Sequence, residues 1–103
     1  MKPLLRIVLP GIFFFACCHC LAQSYIPKEG YVPDSKTAVS ISEAVLIPIY
    51  GKEQITSERP FTARLEGSIW HVYGYLPPNM EGGVAEVWID KQSGRIVRLI
   101  HQR

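Results

Sequence analysis

The amino-acid sequence predicts an α+β domain, with one N-terminal helix packed on a four-stranded antiparallel sheet. Three observations carry that expectation. Apolar residues recur at helical spacing between Ser35 and Tyr50. From Phe61 onward the apolar period falls to two, as in half-buried strands. Two turn segments, Glu66-Gly67-Ser68 and Lys91–Gly94, then divide that second half into hairpins. With 103 residues the chain has room for one domain. Its expected divisions are an export segment over residues 1–22, an extended lead-in over 23–33, and the α+β domain over 34–103.

The N-terminal segment carries "CCHC", Cys17 to Cys20, which invites a zinc reading. Structural zinc takes two pairs of ligands held apart by a longer segment. Four consecutive side chains point in different directions and cannot all reach one ion. The flanks fit an export signal instead: Lys2 and Arg6, then an almost wholly apolar run from Ile7 to Cys18, then "CLA" before Gln23. Cleavage after Ala22 removes all three cysteines, so the exported form has no disulfides. Lipid attachment at Cys17 is the alternative, disfavoured by the bulky Phe14 and Phe15. Lys2 and Arg6 account for the formal charge of +2, so the remaining chain is near neutral. Broad attraction to nucleic acid or anionic lipid therefore has no support. No second apolar run is long enough to cross a membrane.

"QSYIPKEGYVP", with two prolines and a glycine, reads as a lead-in whose Tyr25, Ile26, Tyr31 and Val32 could lie across the core. Asp34 stands where a carboxylate caps a helix N-terminus. Ala38, Ile41, Val45 and Ile49 form the expected buried stripe, with Ala44 beside it and Leu46, Ile47 and Tyr50 off it. Pro48 should kink or finish the last turn, and Gly51 ends the helix. Lys52–Arg59 reads as a polar loop. Strands follow over Phe61–Leu65 and Ile69–Leu76, a long tip "PPNMEGG", then a hairpin over "VAEVWIDKQSGRIVRLI".

Alternation assigns Trp70, Val72, Gly74 and Leu76 to the inward face, with Ala85, Val87 and Ile89, then Val97 and Leu99. The opposite face carries Ile69, His71, Tyr73 and Tyr75 with Glu86, Trp88 and Arg98. Aromatics mixed with charges have the composition of a protein-binding patch. A second buried layer beneath the lead-in, or plain strand propensity, would place the same residues there.

Reactive groups are scarce. Beyond residue 22 the histidines are His71 and His101, and the aspartates are Asp34 and Asp90, better used as cap and turn residue. Glu81 near Gly82-Gly83 could sit by a loop pocket, but one carboxylate does not make an acid/base pair. His71, Glu86 and His101 lack ordinary metal-ligand spacing. These features point to a binder without catalytic residues, metal or cofactor.

Three stretches carry a family resemblance: "GYVPDSKTAVSISEAVLIPIYG", "RPFTARLEGSIWHVYGYLP" and "GGVAEVWIDKQSGRIVRLIHQR". From about Gly30 to the C-terminus they resemble a bacterial family of small immunity proteins with a nuclear-transport-factor-two-like fold. The resemblance implies a curved sheet in a reduced version of that fold. It also implies neutralisation of a cognate polymorphic toxin by direct binding, in competition between bacteria. Room for one long helix argues against an enclosed ligand cavity. With an export signal, the expected compartment is the periplasm or the exterior.

The expected mode is occlusion by a preformed surface, with His71, Tyr73, Tyr75 and Trp88 as anchors and Glu86 and Arg98 as polar neighbours. The tip, including Asn79 and Met80, is the alternative inserter. The sequence leaves dimerisation open. The last hairpin, "VWIDKQSGRIVRLI", also resembles PepSY-type modules, which implies a periplasmic peptidase inhibitor or chaperone-like binder as the rival reading.

Overall fold

A computed structural model of the chain describes residues 22–102. The Cys17–Cys20 cluster and all of the expected export segment but Ala22 lie outside the described residues. Two helices come first, α1 (Ser35–Tyr50) and α2 (Lys52–Ser57). Four strands follow: β1 (Thr62–Glu66), β2 (Ile69–Tyr73), β3 (Ala85–Asp90) and β4 (Ile96–His101). They form one antiparallel sheet in the order β1-β2-β3-β4, so the expected α+β meander is present.

The lead-in reaches the core only at its end. Gly30 turns the chain at φ +88°, and a Cβ there would collide with the Lys91 carbonyl, so only glycine fits. The Tyr31 and Val32 amides then donate to the carbonyls of Gln92 and Lys91 at 3.1 and 3.0 Å. Val32 is fully buried, and its carbonyl accepts the Trp70 indole N–H at 2.8 Å. Tyr25, Ile26 and Tyr31 remain exposed, contrary to the expectation that they lie across the core.

Asp34 caps α1 through Oδ1, which accepts the Thr37 amide at 2.8 Å. The same hydrogen bonding holds its carboxyl below the ordinary aspartate value. Helical geometry persists past Pro48 to Tyr50 and stops at Gly51, whose amide donates to Ile47 at 2.8 Å. The buried row is Ala38, Ser42 and Leu46, rotated from the expected stripe. Ile49 is 55% exposed, whereas Ile47 and Tyr50 pack on the core. The reason is Ser42: the inward face contains a polar residue, so counting apolar residues alone tilts the stripe towards Ile49. Ala38 and Ser42 are small enough to let the helix lie close to the sheet, at the cost of an unpaired buried Ser42 hydroxyl.

The segment expected as a polar loop instead holds α2, which buries Ile55 and carries Gln54, with Glu58 four residues on as its C-cap. On the sheet, Trp70 and Val72 meet Ala85, Val87 and Ile89 in the core, where Phe61 is also buried. Each large side chain fully buried there contributes about 1.5–3 kcal/mol. Two inward assignments fail. β2 ends at Tyr73, because the Tyr75 amide is taken by the Glu58 carbonyl at 2.7 Å, and Leu76 turns outward. A bulge in β4 pairs Trp88 with Arg98 but Ile89 with Ile96, making Val97 the extra residue. Val97 is therefore 43% exposed, and Ile96 takes its place against the core.

Candidate functional site

The outer face of the sheet is built around one cross-strand row. Arg64 lies opposite His71, His71 opposite Trp88, and Trp88 opposite Arg98, so one side chain from every strand shares that face. The His71 and Trp88 rings stack with centroids 4.5 Å apart and planes 5° from parallel. Arg98 places its guanidinium carbon 5.1 Å from the Trp88 centroid. Strand order puts His71 on one side of the indole and Arg98 on the other. Tyr73 adds a tilted contact to His71 at 5.1 Å.

Hydrogen bonds hold this row in place. His71 Nε2 donates to Glu86 Oε1 at 2.8 Å, and Glu66 Oε2 lies 3.5 Å from Nδ1. Glu86 is mostly buried, and its other oxygen accepts from the Gln102 amide. His71, Tyr73, Glu86, Trp88 and Arg98 are thus brought together as the alternation predicts. Tyr75 is not among them. It lies beyond β2 in the connection to β3, exposed and tied through its amide to Glu58. Asn79 and Met80 sit exposed in the same connection, outside the sheet, where the Met80 amide donates to Pro77 at 3.0 Å. The lead-in bonds to the β3–β4 turn and to inward-facing Trp70, so it does not form a second layer over the row.

On the helix side lies a constellation that sequence reasoning missed. Glu58, 5% exposed, accepts the Ala85 amide through Oε1 at 2.8 Å. Its Oε2 accepts from Gln54 Nε2 at 2.8 Å and His101 Nε2 at 2.7 Å. Burial pushes the Glu58 carboxyl up. The bonds from Ala85, Gln54 and His101 together outweigh that effect and leave it below the ordinary glutamate value. The fit depends on Gly74, where a Cβ would stand 2.9 Å from Glu58 Oε1. Gln54 and Glu58 at helical spacing around Ile55 were the available signal.

His101 also packs its ring 5.0 Å from that of Tyr50. These two line an open pocket of about 680 Å³ with Gln54, Glu81, Gly82, Gly83 and Gln102. Glu81 does border a pocket, as its place beside two glycines suggested. The lining includes His101, whose carboxylate partner Glu58 is not itself in the lining, and it has no serine, threonine or cysteine among the described residues for that pair to activate. His71 faces out beside Trp88 while His101 is opposite inward-facing Ala85, so His71, Glu86 and His101 do not converge on one point.

The architecture and the ordered outer face can be compared with known proteins. No curated protein and no solved structure matches the chain significantly. A family model described as "NTF2 fold immunity protein" matches residues 37–103, from the first turn of α1 through the whole sheet. The match spans well over half of the sequence and every element that builds the row, and the chain belongs to the NTF2 fold immunity protein family.

Proposed function

We propose that this protein is an exported immunity protein that neutralises a cognate polymorphic toxin by one-to-one occlusion, without catalysis. Family membership supports toxin neutralisation. The single structural observation supporting a binding mechanism is the row on the outer face, stacked and hydrogen-bonded before any partner arrives. Side chains already held in one arrangement lose little further freedom on binding, which favours tight recognition. Both faces of the Trp88 indole are covered, so it meets a partner edge-on as part of a flat surface. Export rests on the basic, then apolar, then small-residue pattern of residues 1–22. An inhibitor must meet its target in its own compartment, so the toxin acts in the periplasm.

The test uses the product of the adjacent reading frame. Its expression in the periplasm should arrest growth, and this protein should restore growth only with residues 1–22 intact. Purified toxin should bind one-to-one, and Trp88→Ala should weaken binding about 30-fold, the loss typical of an interface hot spot. Rescue by a chain lacking its leader would reject the compartment. Neutralisation unaffected by Trp88→Ala would move the interface off this face.

A further inference from the structure

The outer face distributes its charges unevenly. Its carboxylates have partners within the face: both Glu86 oxygens are engaged, by His71 and Gln102, and the exposed Glu66 has one oxygen 3.5 Å from His71. Its guanidiniums differ. Arg64 and Arg98 stand at the two ends of the row, both exposed, and neither takes part in an ion pair among the described residues. Arg98 lies over Trp88, which restricts its freedom without using its hydrogen-bond donors.

We propose that the row Arg64–His71–Trp88–Arg98 recognises an acidic protein segment, with one carboxylate at each end. This rests on the neutralisation reading and specifies the chemistry of the toxin surface. Arg64, absent from the candidate anchors read from sequence, becomes a recognition residue. The two arginines are three strand spacings apart, about 14 Å between backbones. An extended segment rises about 3.4 Å per residue, so carboxylates at positions i and i+4 span that distance on one face. Each would meet a planar fork of donors suited to two-point carboxylate binding. A continuous polyanion fits worse, because Glu66 and Glu86 flank the centre of the row and would repel its middle charges.

The test is a two-dimensional NMR titration of the protein, including indole N–H signals. The first probe is a threonine-rich peptide whose only glutamates stand at i and i+4, with threonine at i+2. Its Thr/Lys counterpart and a twelve-residue oligothymidylate serve as controls. The acidic peptide should shift the Trp88 indole and the amides of Arg64, His71 and Arg98 saturably. Arg64→Gln with Arg98→Gln should weaken that binding about 10- to 30-fold. No shift at millimolar peptide, equal shifts with the lysine peptide, or tighter binding of the oligonucleotide at the row would each overturn the proposal. The toxin provides the separating measurement. Toxin bound equally well by wild type and the double variant sinks the acidic-segment proposal and leaves neutralisation standing. Peptide binding at the row, without neutralisation of any adjacent product, sinks the neutralisation reading alone.

Discussion

Replacing Glu58 by alanine should destabilise the fold more than any other single change to a charged residue. The Ala85 amide, fully buried, loses its acceptor, which costs about 1–3 kcal/mol. The bond from half-buried His101 is assisted by the carboxylate charge and contributes about 1.5–3 kcal/mol. Gln54 is exposed and can turn to water, so its loss adds little. Together the expected loss is about 3–5 kcal/mol, a large part of the roughly 5–15 kcal/mol that holds a small domain folded. Glu58→Gln keeps an acceptor for Ala85 and the same shape, and should cost about 1–2 kcal/mol. Urea unfolding followed by the fluorescence of buried Trp70 measures both variants, with a double-mutant cycle against His101→Ala to isolate that pair. A Glu58→Ala loss below about 1 kcal/mol, or equal losses for alanine and glutamine, would refute this account.

Three further outcomes are expected. Trp70→Ala should lose about 3–5 kcal/mol, because it empties core volume and frees the Val32 carbonyl, while Trp88→Ala should lose about 1 kcal/mol; equal losses on urea unfolding would reverse the two faces of the sheet. Gly30→Ala should lower the melting temperature by 8 °C or more, roughly 2 kcal/mol in a domain this size, since the turn and the Lys91 carbonyl leave no room; calorimetry showing no change would contradict the docking of the lead-in. Asp34, Glu58 and Asp90 are all held below their ordinary values, so each contributes stability that is present above its unfolded value and lost as pH falls through the folded one. Unfolding measured against pH should therefore show the loss these three carboxyls cause beginning near pH 4 and deepening below it, with the Glu58→Gln variant showing a shallower decline; an identical decline in the variant would exclude Glu58 from the acid response.

What could be read directly was local. The Asp34 cap, the Gly51 stop, the Gly67-Ser68 turn and the Asp90 turn, where Oδ2 accepts the Ser93 amide at 2.8 Å, involve residues within a few positions of one another. Strand alternation also put His71, Tyr73, Glu86, Trp88 and Arg98 on one face, because side chains in a strand must alternate. Where the reading failed, a distant partner had intervened. Leu76 left the inward row because the Glu58 carbonyl took the amide of Tyr75 just before it, and Val97 left it because β4 accommodates one more residue than β3 at that point.

Legible in the residues alone were the long helix, the two antiparallel hairpins after it and the faces of most strand residues, since these follow from backbone periodicity and turn chemistry over short spans; the short α2 was not. Long-range packing is what makes Glu58 join residues 27 and 43 positions away, turns Ser42 inward, and leaves Arg64 and Arg98 uncompensated at the ends of one row. Those facts depend on strand register and on how closely helix and sheet approach. Both are set by the packing of the whole core, which no local window of residues contains.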